Sequence, residues 1–228
     1  VVVVADTVVG VDQAGIQKTI RMMGTTYRPM VNAVLGCMLL VLFSYFIHDV
    51  LPLRVLAFAA LGAMALLIGM DRGDDRFLGK MKNGRSLSFG IMIAIAGALL
   101  AVYYLREEAN MPIIPKSLGW FAILAAVIGS TEELVFRGWM QSQFSGRFAW
   151  LGILFAAFAH AAYKSALFLS PEIMYDLNTL GLFRMTFLAG IFLGGLRYYT
   201  GSVWPALLAH GIFDLLVYAD SEQTWWVF

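Results

Sequence analysis

The sequence predicts an all-α, polytopic membrane helix bundle of about seven transmembrane helices, with a polar site inside the last four. Three observations lead there. The 228 residues are 60% hydrophobic and only 14% charged, with a mean hydropathy of +0.76, whereas a soluble domain carries roughly 25% charged residues. The apolar residues fall into seven runs, each near the ~20 residues that cross a bilayer as a helix. Within the later runs stand Glu, Arg, His and Asp side chains that lipid disfavours, by ~2.5–3.5 kcal/mol for a central Asp or Arg.

Residues 1–29 form a mixed segment, cytoplasmic or interfacial. Ile16, Ile20, Met23 and Tyr27 recur at helical spacing opposite Lys18 and Arg21, which suits a surface helix; a disordered tail is the alternative. No basic region precedes Val1–Val4, so a signal-peptide layout is not expected. Residues 30–117 hold three spans. The first runs from about Met30 to Ile47, and His48-Asp49 and Pro52 turn the chain into the second, about Leu53 to Met70. A polar loop from Asp71 to Ser86 carries Arg72, Arg76, Lys80, Lys82 and Arg85. The third span, about Leu87 to Leu105, leads into a loop with Pro112 and Pro115. Residues 118–219 hold four spans: Leu118 to Met140, Phe148 to Phe168, Leu182 to Tyr199 and Val203 to Ala219. Leu169 to Gly181 is a longer link that would cap one mouth of the site. Gly190 and Gly194 suit close helix contact. The tail, 220–228, carries two acids and Trp225-Trp226, a candidate interfacial anchor.

Basic residues set the expected orientation. With seven crossings, eleven Lys and Arg fall on the N-terminal side and five, including Arg106 and Lys164, on the other. The positive-inside rule then puts the N-terminus in the cytoplasm and the C-terminus outside a cell membrane. A net charge of +1 offers nothing to nucleic acid. Lipid is the expected partner, with the oligomeric state left open. Cys37 stands alone in an apolar run, so neither a disulfide framework nor a Cys-based metal site is available.

The chemistry gathers in the second half. Glu132 and Glu133 are adjacent, and Glu133 and Arg137 stand at i and i+4, on one helical face and able to pair. Glu132 lies about 100° around the helix and is left for another task. His160 lies inside the fifth span; His210 and Asp214, again i and i+4, lie inside the seventh. His48, at a segment end, suits an interfacial role. At 1.5 Å per residue, Glu132 is ~12 Å, His160 ~18 Å and His210 with Asp214 ~10–18 Å from the expected cytoplasmic ends of their helices. Polar groups of separate helices therefore share one stratum. A common site requires His160 and His210 to lie within about two helix diameters, ~20 Å.

The order Glu132-Glu133-x-x-x-Arg137, then His160, then His210-x-x-x-Asp214, with Gly201-Ser202 leading into the last helix, resembles the CPBP (Abi) family of intramembrane proteases, which includes CAAX prenyl endopeptidases and bacteriocin-processing proteins. The likeness covers about Leu118 to Ala219. Two positions depart from it. Ala156 stands where the family has the Phe of FxxxH, with Phe155 and Phe158 on either side. Asp214 replaces the Asn of CAAX-type members.

The resemblance implies an intramembrane endopeptidase acting on a membrane-associated protein or peptide. Glu132 and His160 would hold and activate a water, His210 would face the oxyanion with Asp214 beside it, and Glu133 with Arg137 would support the site. Peptide hydrolysis in lipid needs such a base and such a donor. No cofactor is expected, although zinc on Glu132, His160, His210 and Asp214 is a possible alternative. A non-proteolytic scaffold or immunity protein, and a proton-coupled transporter, are the readings of other classes. CAAX processing, leader-peptide removal and cleavage of sorting signals all fit as substrates.

Overall fold

The structure is a computed structural model that describes residues 13–71, 77–144, 146–169 and 178–220, without the side chains of 13–26 and 147. Arg72, Arg76, most of the 169–181 link, Trp225 and Trp226 lie outside the described residues, as do the side chains of Lys18 and Arg21.

The described residues are helical, with no strand. α1 spans Gln13–Phe46, α2 Leu51–Met70 and α3 Gly84–Glu108. α4 spans Trp120–Glu133 and continues as a π-helical segment, Leu134–Met140. α5 is Ala149–Leu169, α6 Thr179–Thr200 and α7 Trp204–Val217. The expected surface helix over 16–27 and the first span form one continuous helix that runs through Pro29. Local sequence sets the other ends. Pro52 opens α2, where its missing N–H is no loss. Asn83 and Asn178 cap α3 and α6 by accepting from Ser86 N and Gly181 N. Gly201, at φ +78°, ends α6 in the left-handed conformation that glycine adopts without penalty.

Among the described residues, five helices are long and apolar enough to cross a membrane: the Tyr27–Phe46 part of α1, then α2, α3, α5 and α6. The protein is a multi-pass membrane protein. α4 with its π continuation covers Trp120–Met140, close to the expected span. α7 departs from the expected ~20 residues: it has 14 and is only ~21 Å long against a ~30 Å hydrocarbon core. It packs largely against protein, which relieves it of the need to match the lipid.

α1 packs on α2 and α5, α3 on α7 and α6, α5 on α6, and α4 on α7. Phe136, Trp139 and Met140 of the π segment fill the space between Ala33 and Leu40 of α1, Met64 of α2 and Ala159 of α5, with Cys37 half-buried beside them. Small residues permit the close approaches. A Cβ on Gly36 would lie 2.8 Å from the Trp139 ring, and one on Gly190 2.8 Å from Ala157 Cβ. Gly194 meets Ile153 in the same way, so the two α6 glycines expected at helix contacts are found there.

Each end of the bundle is tied by polar contacts. At one end, residues 78–82 exchange backbone bonds with the α6–α7 turn: Lys82 N donates to Thr200 O (2.9 Å) and Val203 N to Leu78 O (3.0 Å). At the other, the buried Arg106 guanidinium donates to Pro112 O, Leu216 O and Ala219 O and pairs with Asp220 at 2.7 Å. Asp220 in turn accepts from Lys116 N, Ser117 N and Ser117 Oγ. Arg106, counted among loop charges from sequence, is thus the clamp of α3 on the end of α7.

Arg106, together with the Ser117 and Lys116 donors, holds the Asp220 carboxyl below its usual range. A lowered folded pKa gives stability that is present above the unfolded value, ~3.9, and lost as pH falls through the folded one. Thermal melting of the purified protein should therefore weaken as pH drops below about 4. Asp220→Asn should melt earlier at neutral pH and lose that acid dependence.

Candidate active site

The site is built on the α4–π junction. The i→i+5 bonding is seen where Gln141 N–H reaches Phe136 O, and such widened turns recur at functional sites. Phe136 to Met140 are five consecutive buried residues, a pattern no one-faced helix gives. The segment is pinned at its far end, where Asp71 Oδ2 accepts from Trp139 Nε1 (3.0 Å) and Gln143 Nε2 (2.6 Å).

Arg137 and Glu133 pair as expected, Nη1 donating to Oε1 at 2.9 Å. The same Nη1 lies 2.6 Å from His160 Nδ1. A guanidinium only donates, so Nδ1 carries the lone pair and His160 Nε2 the proton. That Nε2–H points at Glu132 Oε2, 3.2 Å away. His160 is thereby assigned as a neutral ring held between α4 and the π segment. From α7, His210 Nδ1 lies 2.8 Å from Glu133 Oε1, so Nδ1 is the donor there and Nε2 faces inward. His210 Nε2 is 3.5 Å from Asp214 Oδ2 and 3.9 Å from Glu132 Oε2. The two histidine rings are 5.7 Å apart, well inside the limit a common site demands.

All six side chains singled out in the sequence therefore converge: Glu132, Glu133, Arg137, His160, His210 and Asp214. Glu133, Arg137, His160, Glu132 and Asp214 are buried, and His210 is partly exposed. Glu133 does more than brace its own helix, because one oxygen accepts from both Arg137 and His210.

Two members were not foreseen. Lys164, counted from sequence with the charges beyond the membrane, lies in α5 one turn past His160, and its Nζ is 2.8 Å from Glu132 Oε1. The i, i+4 spacing to His160 was a readable signal. Phe136 stacks on the His160 ring with centroids 4.5 Å apart and planes 16° from parallel. Phe155 instead packs on Phe144, and Phe158 on Phe183. The ring missing at Ala156 is thus supplied to His160 from within the EExxxR stretch. His48 sits in the α1–α2 turn.

Gly129, one turn before the glutamates, sets how close α7 comes. A Cβ there would run into the Asp214 carboxylate and lie 2.8 Å from His210 Cδ2. Gly211 plays the reciprocal part, facing Ser130 Oγ at 2.9 Å.

A family model described as "Type II CAAX prenyl endopeptidase Rce1-like" matches residues 112–216. The match begins in the loop before α4, ends in the last turn of α7, and contains Glu132, Glu133, Arg137, His160, Lys164, His210 and Asp214. No curated protein and no solved structure matches the chain.

Gly129→Ala should push α7 away from α4. The expected cost of overpacking is ~1–3 kcal/mol, measurable as a lower melting temperature. Gly62→Ala, on α2 with open space around its Cα, should leave melting unchanged and serves as the control.

Proposed function

We propose, on the match of residues 112–216 to the Rce1-like model of type II CAAX prenyl endopeptidases, that this chain is an intramembrane endopeptidase in which Glu132 activates the attacking water. The observation that carries this reading is the division of Glu132. Its Oε1 is held by Lys164 and its Oε2 faces the space between His160 Nε2 and His210 Nε2.

Glu132 Oε2 takes a proton from water as the oxygen attacks the scissile carbonyl carbon. His160, fixed by Arg137 behind and Phe136 on its face, aims that carboxylate. The oxyanion forms toward His210 Nε2. His210 donates from Nε2 when a second proton resides on the His210–Asp214 pair, since Nδ1–H is already committed to Glu133. Asp214 thus keeps a proton at the donor. Collapse of the tetrahedral intermediate breaks the C–N bond, and Glu132 returns its proton to the leaving amine. A well-placed oxyanion donor contributes ~2.7–4 kcal/mol, and a general base ~10²–10⁴-fold.

We read the site as working without a metal. Zinc needs three protein lone pairs and an open position. Here His160 Nε2 carries its proton, and the Arg137 and Lys164 cations stand against the carboxylates that would bind an ion. Among the described residues no group of three or more His, Cys, Asp or Glu is arranged to hold one. The donor set fits zinc poorly.

The substrate is a membrane-associated protein or peptide, reaching the site from the membrane or an aqueous face. The basic residues support an N-terminus in the cytoplasm. With Arg137 and Lys164 assigned to the site, ten remain on the N-terminal side against four.

Protein termini in membranes of cells with the native chain, compared with Glu132→Ala at equal abundance, test the reading. New termini with the native chain alone, reduced at least ~10²-fold by the substitution, are expected. Identical termini in both samples would leave a non-proteolytic membrane protein. The same cleavage should persist in strong chelators; loss on chelation with recovery on zinc would overturn the metal-free reading.

A further inference from the structure

Lys164 is the charged member of the cluster that takes no part in the proton transfers of the water-activating scheme. It lies five residues before the end of α5 at Leu169, ~7.5 Å inside that helix. A lysine at such a depth normally snorkels to the helix end, yet here it turns inward, and its partner is Glu132 Oε1 at 2.8 Å.

A bridge between helices is the simplest role for such a pair, yet α4 and its π extension are already tied to α5. Glu132 Oε2 meets His160 Nε2, Arg137 Nη1 meets His160 Nδ1, and Phe136 stacks on the same ring. Lys164 adds something different. It engages the one Glu132 oxygen that the histidines do not face. A carboxylate held on one oxygen loses its freedom to rotate, and the other oxygen is then fixed toward the histidine pair. The pair also matches charge. Arg137 neutralises Glu133, and without Lys164 no permanent cation would stand on Glu132.

We propose that Lys164 is a positioning residue, which keeps Glu132 a carboxylate and turns its Oε2 into the gap between His160 and His210. The proposal rests on Glu132 being the base of the reaction described above. It predicts that the shape of the cation is secondary and its charge essential.

The test uses the full chain in proteoliposomes with Lys164→Met, which keeps the length and removes the charge, and Lys164→Arg. With a substrate identified from the native termini, Lys164→Met should lower kcat by about 10²–10³-fold while KM stays within about three-fold. Lys164→Arg should recover kcat to within about ten-fold of native. A KM rise with kcat unchanged would make Lys164 a substrate contact, and full activity in Lys164→Met would make it dispensable; either overturns the proposal. Melting temperatures supply a readout that needs no turnover. Lys164→Met should cost more stability with Glu132 present than in a Glu132→Gln background, because the coupled pair is non-additive. Additive melting shifts would overturn the proposal even if the chain cleaves nothing. A native chain that cleaves nothing, with the coupling intact, would strike at the protease reading and leave the pairing of Lys164 with Glu132 standing.

Discussion

Everything in this bundle depends on a guanidinium that has no water to turn to. Arg137 is buried in the interior of a protein whose surroundings are lipid, and its Nη1 serves Glu133 on its own helix and His160 on α5. Glu133 passes the connection to His210 on α7. One cation thus joins three helices. Removing one member of such a buried set strands the others as uncompensated charges, which costs far more than the set itself contributes. The positions of α5 and α7 relative to α4 follow from that constraint.

Packing meets the demand by making room. Apolar side chains gain little by leaving lipid for protein, so helix association in a membrane relies on close contact and on polar bonds. Gly129 admits the Asp214 carboxylate, and Gly190 lets α6 close over the Arg137 Nη2 side. Trp139 fills the space on the other side, against α1 and α2, where Gly36 yields to it. The first two helices therefore act on the site from a distance. They carry none of its chemistry, yet they back the π segment that holds Arg137 and Phe136.

The sequence made the seven helices legible, because lipid leaves a backbone few alternatives to a helix and because apolar runs of twenty residues are rare by chance. The six motif residues were legible for a related reason: ionisable groups deep in such runs stand out. What was missed has physical causes too. Lys164 lies near the end of its helix, where a long side chain normally snorkels outward, and only the contact with Glu132 shows that it turns inward. Phe136 was invisible as the partner of His160 because its placement depends on the π segment, whose extra residue per turn has no signature in hydropathy. The second role of Glu133 arises from α7, which no local spacing on α4 could reveal. The short length of α7 reflects tertiary burial rather than composition.

Two charges of the cluster belong together. Asp214 brings a further negative charge, and Lys164 brings a positive one. With Glu132, Glu133 and Asp214 set against Arg137 and Lys164, a single extra proton on the His210–Asp214 pair makes the whole site neutral. With Asn in place of Asp214 and no Lys164, two glutamates against Arg137 and a protonated His210 would reach the same balance. Neutrality as a whole is what a low-dielectric interior demands, and it can be met with either set. What differs is the freedom of the base. In this chain the offsetting cation sits on Glu132 itself, so the same pair that balances Asp214 also fixes the carboxylate that faces the two histidines.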